Sequence, residues 1–245
     1  MKVIATTLGE TLGDFFSMTL NLGYVTGLLI TLIFFLLVLT IQLLVRKYVP
    51  VFYWLVIIGT TTLGTEISDM IDRTLHLGYP LGSLLLFCLL LITLFLWYRR
   101  YHDLHVYPIF ERSKEVYFWI AVLFSNSLGT AFGDFLSDDV GMSYLTGALV
   151  TGAIIGVILL LHYLTKINEV LLFWIAFVFT RPFGATFGDF LTKSRSQGGL
   201  ELRRFPASIV LILLMAVFIV ISHFLHDDAP TLAMEAADGH GTASA

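Results

Sequence analysis

The stretch Thr6-Thr-Leu-Gly-Glu-Thr-Leu-Gly-Asp14 is written four times along the chain. The other versions are Thr61-Thr-Leu-Gly-Thr-Glu-Ile-Ser-Asp69, Asn126-Ser-Leu-Gly-Thr-Ala-Phe-Gly-Asp134 and Arg181-Pro-Phe-Gly-Ala-Thr-Phe-Gly-Asp189. Gly9, Gly64, Gly129 and Gly184 lie 55, 65 and 55 residues apart, and the closing aspartates keep the same intervals. Copies 1 and 3 are therefore 120 residues apart, as are copies 2 and 4. A two-helix unit that was doubled, and then doubled again, produces both spacings. Every copy sets a carboxylate in or beside an apolar run, a costly placement that demands a partner or a function.

The environment of the motif is a bilayer. The chain has 245 residues, of which 57% are hydrophobic and 13% charged, with mean hydropathy +0.87. A soluble domain carries about a quarter charged residues. Apolar runs at 24–45, 80–98, 143–163 and 206–226 approach or reach the roughly 20 residues that cross a bilayer as helix. Those at 51–63, 116–128 and 171–183 reach that length only by continuing through a motif. The expected architecture is an all-α, polytopic helical bundle of eight spans, built as four parallel two-helix repeats. Repeats 1 and 2 fill 1–98 and repeats 3 and 4 fill 115–226, joined by a basic loop at 99–114. The polar tail 227–245 is expected to be disordered.

The first span is short. Trp54, Trp119 and Trp174 each stand ten residues before a motif glycine, and the equivalent place in repeat 1 would precede Met1. Either the start site is placed too late, or a truncated helix is shielded by its neighbours. No basic region, apolar stretch and cleavage site precede the first motif, so no signal peptide is expected.

Residues four apart share a helix face. The motif therefore lays down a column of Thr6, Glu10 and Asp14, repeated as Thr61, Thr65, Asp69, as Asn126, Thr130, Asp134, and as Arg181, Ala185, Asp189. Beside it run the small pairs Gly9/Gly13, Gly64/Ser68, Gly129/Gly133 and Gly184/Gly188, a spacing that lets membrane helices approach closely. The expected arrangement packs the four motif helices through the small residues and turns the polar column inward. Glu10, Asp14, Glu66, Asp69, Asp134 and Asp189 would then form a cation- or proton-binding cluster, with Arg181 as charge partner. The competing reading has the aspartates capping helix ends at the membrane surface.

Other features carry less. Cys88 stands alone in an apolar run and reads as a small buried hydrophobe, so no internal disulfide is expected. His102 and His105 fall in the central loop, His162 beyond an apolar run, and His223 and His226 at the end of the last helix; these read as interfacial histidines. Tyr24, Tyr79 and Tyr144 read as interface anchors, and the glycines around them as sites of tight reversal and close approach. A net charge of −4 gives no footing for nucleic acid, and no cofactor motif is present. With no nucleophile–base pair beside the acids, an enzyme is not expected.

The chain resembles the bacterial multi-pass membrane family built from four tandem repeats of unknown function, each with two spans and a Trp. The resemblance rests on Thr6–Asp14 with Leu20-Asn-Leu-Gly-Tyr24, and on Arg181–Asp189 with Gly198-Gly-Leu200. It covers about residues 1–226, departs from the pattern at the missing first Trp, and implies architecture without a substrate.

The functional expectation is a cation transporter, with divalent metal–proton exchange as its finer form. The alternative is a non-transporting scaffold or accessory subunit. Lys2, Arg46, Lys47, Arg99, Arg100, Arg112, Lys114 and Lys166 fall on the side of the termini, and Arg73, Lys193, Arg195, Arg203 and Arg204 on the other. That bias places both termini in the cytoplasm and the chain in an inner (cell) membrane. The lipid bilayer and a metal cation or proton are the expected partners; the oligomeric state is open.

Overall fold

Each repeat folds as a motif helix followed by an outer helix. A computed structural model describes residues 1–20, 23–45, 49–106 and 112–238, apart from the side chains of Met18, Tyr24, Gln197 and residues 222–238. The motif helices are α1 (Lys2–Asp14), α3 (Pro50–Asp69), α5 (Arg112–Asp134) and α7 (Glu169–Thr192). The outer helices are α2 (Gly23–Leu44), α4 (Gly78–Tyr101), α6 (Tyr144–Leu164) and α8 (Arg204–Asp238). Seven of the eight are long and apolar enough to cross a membrane. The exception is α1, whose 13 residues rise only about 20 Å.

Local chemistry explains the ends. Pro50 opens α3, where its missing N–H is not needed. Asn168 accepts from the N–H groups of Val170 and Leu171 at the start of α7. After the motif aspartate, repeats 1–3 widen into π-turns at Phe15–Thr19, Met70–Thr74 and Phe135–Asp139, a form that concentrates at functional sites. Repeat 4 instead leaves α7 through extended Lys193 and a short 3-10 turn, Arg195–Gln197. The chain reverses at Gly23, Gly78 and Gly141, with φ of 75°, 72° and 76°, a conformation that favours glycine.

The motif helices form a closed ring in the order α1–α3–α5–α7, with α7 back against α1. Each outer helix covers the motif helix of the next repeat: α2 packs on α3, α4 on α5, α6 on α7, and α8 closes the circle on α1. Short α1 is thus enclosed by α3, α7 and α8, and Ala5 through Thr11 are buried. Outer faces bearing Leu29, Ile33, Leu37, Leu84, Phe95, Leu149, Leu160, Leu213 and Val220 are exposed and suited to lipid.

One expectation meets a different outcome, and two go untested. Cys88 is exposed on the outer surface of α4 instead of buried. Helix α8 runs on to Asp238, into the tail expected to be disordered, while 239–245 lie outside the described residues, as do Arg46 and Lys47.

Candidate functional site

The ring is held together by glycines that meet the first polar residue of the next motif. A Cβ added at Gly9 would lie 2.4 Å from Thr61 Cβ, one at Gly129 2.4 Å from Arg181 Cβ, and one at Gly184 2.6 Å from Thr6 Cβ. At Gly64 the nearest atom is Asn126 Cβ, at 3.0 Å. Gly13 faces Thr65, Gly133 faces Ala185, and Gly188 faces Glu10. Ser68 differs, donating its hydroxyl to Asp72 at 3.2 Å. This backbone proximity delivers the column residues to a common axis.

Three layers stack along that axis. Asp14, Asp69, Asp134 and Asp189 form the first and are all buried. One helical turn deeper sit Glu10, Thr65, Thr130 and Ala185; one turn deeper again sit Thr6, Thr61, Asn126 and Arg181. Carboxylate oxygens of Glu10, Asp134 and Asp189 all lie within 4.8 Å of one another, although α1 and α5 are opposite members of the ring. The next turn of the column is Ile57, Val122 and Phe177, all buried, with the Lys2 ammonium over the Phe177 ring. Trp119 and Trp174 extend this apolar floor, Trp174 packing edge-on against Trp97 with ring centroids 5.8 Å apart. Trp54 packs at its margin.

Basic side chains neutralise most of the cluster. Arg181, wholly buried, donates to Glu10 Oε2 at 2.8 Å, to the Thr65 hydroxyl, and to the Thr6 carbonyl at 3.3 Å. Arg73 lies 3.2 Å from Asp69 and 3.6 Å from Asp134. Lys193 lies 3.3 Å from Asp189 and 3.5 Å from Asp14, and Arg204 reaches Asp14 at 3.2 Å. Arg73, Lys193 and Arg204 are partly exposed and fill the mouth of the site. Burial works against the charge of Lys193, but Asp189 and Asp14 outweigh it and hold its pKa above the ordinary lysine value. Five axial carboxylates thus face four basic groups among the described residues, with the Lys2 ammonium one turn beyond Arg181.

The sequence-based account of the cluster is altered in two ways. Arg181 is joined by Arg73, Lys193 and Arg204, which the sequence places only among the basic residues on the side away from the termini. The signal was present: Arg73 and Lys193 follow their aspartates by four residues and stand 120 apart, the spacing of the half-chain repeat. Glu66 does not join the axis. It follows axial Thr65 by one residue, which turns it about 100° around the helix, and its carboxyl lies against Gly27 of α2. The capping alternative also fails, since Asp14, Asp69 and Asp134 are buried and make no side-chain cap.

The remaining sequence candidates lie elsewhere. Tyr79 donates to Asp138 at 2.9 Å, near the mouth. His102 ends α4 with φ of 54°. His105 and His162, with Lys166 and Glu169, line a surface cavity of about 500 Å³ on the side of the termini, remote from the acids. In the loop there, Asp103 accepts from the backbone and ring of His105, which holds its carboxyl below the usual range. The side chains of His223 and His226 are outside the described residues.

Comparison with curated proteins and with solved structures found no match. A family model described as Repeat of Unknown Function (DUF347) matches at residues 1–48, 52–102, 117–168 and 172–227. These four matches coincide with the helix pairs α1–α2, α3–α4, α5–α6 and α7–α8. A four-repeat membrane bundle matched over nearly all of its spans identifies the chain as a member of the DUF347 repeat family.

Proposed function

We propose that the protein is a cation transporter whose binding site is the axial carboxylate cluster. The observation that carries this reading is the meeting of Glu10, Asp134 and Asp189 at one point of the ring axis. Like charges brought so close in a buried site repel, and a bound cation or a shared proton relieves that repulsion. Oxygen-only ligands suit hard cations or protons.

The site is accessible by design at one end only. Arg73, Lys193 and Arg204 act as tethered cations at the mouth, which an entering ion displaces. Ile57, Val122 and Phe177 close the other end. Those three basic residues serve the acids, so they say little about orientation. Of the basic residues on their side, Arg195 and Arg203 remain; on the side of the termini, with Lys2 set aside as part of the axis floor, seven remain. That balance supports cytoplasmic termini and a mouth facing outward.

A second reading has one observation in its favour: the same basic groups already pair with most of the acids, as a packing-only scaffold requires. Proteoliposomes separate the two. Cation uptake across a panel of monovalent and divalent ions is expected for the native chain, and Asp134→Asn is expected to lower it at least tenfold with the fold retained. Absence of flux across the whole panel favours the scaffold.

A further inference from the structure

Glu66 is the one motif acid that the axial site leaves unused. Its residue is wholly buried, and among the described residues neither carboxyl oxygen has a hydrogen-bond partner. The carboxyl rests on α2 at Gly27, where an added Cβ would lie 2.8 Å from Oε1 and 2.9 Å from Oε2. Among the described residues no basic side chain is paired with it. The absent side chain at Gly27 is therefore what gives the group its seat.

The equivalent seat in the other repeats holds no acid. Thr11 accepts from Ser208 of α8 at 2.9 Å, Thr186 packs on Gly147 of α6, and the place in repeat 3 is Ala131. Repeat 2 alone puts a titratable group at this position. An unpaired carboxylate without hydrogen bonds in such a place is strongly penalised, whereas the neutral acid is tolerated. The charged groups that face it add to the penalty. Helix α2 offers no charged residue, and its titratable Tyr24 stands at its start. Helix α1 brings Glu10 and Asp14, and Asp69 lies one turn on along α3.

We infer that Glu66 is a separate proton-binding site, carried as the neutral acid between α2 and α3, and that its single proton is the one exchanged against the axial cation. The exchange role rests on the transport reading above; the proton site does not. Buried in the ring wall beside Glu10 and Asp14, the group can give up its proton when an axial cation lowers the local negative potential, and take it back when the cation leaves. This site contributes one proton per chain, because no other repeat supplies an acid at this position.

Infrared difference spectroscopy in nanodiscs tests the site without any need for transport. At neutral pH the native chain is expected to show the C=O band of a neutral carboxylic acid that is missing in Glu66→Gln. Gly27→Ala, which presses a methyl group on the carboxyl, is expected to shift that band. A Glu66→Gln spectrum identical to the native one overturns the proton site, whatever the flux results are. In proteoliposomes, Glu66→Gln is expected to abolish cation-driven proton movement while Asp134→Asn leaves the infrared band in place. Proton movement that survives Glu66→Gln overturns the exchange role.

Discussion

Glu10→Gln is expected to destabilise the protein by about 3–5 kcal/mol, the effect of removing one partner from a buried ion pair. Arg181 is wholly buried on α7, and its guanidinium cannot shed its proton to relieve the loss. In the native chain it holds three neighbours together: Glu10 on α1, Thr65 on α3 and the Thr6 carbonyl. The pair therefore ties α7 to adjoining α1 and to α3 across the ring. Adding Arg181→Met to Glu10→Gln removes the stranded charge and is expected to recover a substantial part of the stability. Reversible unfolding in mixed micelles reads both variants. A single variant within about 1 kcal/mol of native, the range of an exposed pair, contradicts this assignment.

Gly184→Ala is the second large effect. The new methyl group would stand 2.6 Å from Thr6 Cβ and 2.9 Å from the Thr6 carbonyl carbon. Backbone cannot rotate aside as a flexible side chain does, so α1 must move away from α7, and the axial cluster opens with it. Overpacking of this kind costs typically 1–3 kcal/mol and occasionally more. Gly9→Ala meets Thr61 in the same way at 2.4 and 2.9 Å and belongs to the same class. Gly133→Ala, with Ala185 Cβ at 3.2 Å, is expected to be much milder. Gly156→Ala, with open space around it, is expected to be neutral or slightly stabilising, since alanine favours helix. Melting temperatures of the four variants give the order directly, and equal losses in all four contradict the ring packing.

Much of this architecture could be read from the chain alone, because a repeat written four times constrains every copy. The helix period placed Glu10, Asp134 and Asp189 on equivalent faces, and four equivalent faces leave an axis as their natural meeting place. The small residues beside the column announced close contacts, although not that each glycine meets the following motif in a closed circle. That order, and the cover of α1 by α8, depends on contacts between residues nearly 200 positions apart. No local pattern encodes such contacts.

The charge balance was the harder part. Arg73 and Lys193 sit beyond the aspartates, where the helix becomes a π-turn or ends, and an apolar-run analysis assigns such residues to loops. Their i,i+4 relation to Asp69 and Asp189 was visible, but helical geometry past the motif was not. Glu66 shows the reverse error. Its proximity in sequence to Thr65 and Asp69 suggested membership of the cluster, whereas one residue of helix rotation points it at α2. Counting acids by position overstates a site whenever the face is ignored.

The most direct test of the axial site is anomalous diffraction from crystals of the native chain equilibrated with rubidium, and separately with manganese. The account predicts an anomalous peak between Glu10, Asp134 and Asp189 for at least one of the two ions, lost in Asp134→Asn. Crystals that show no peak there for either ion, with the axis filled by the side chains of Arg73 and Lys193 alone, would contradict it.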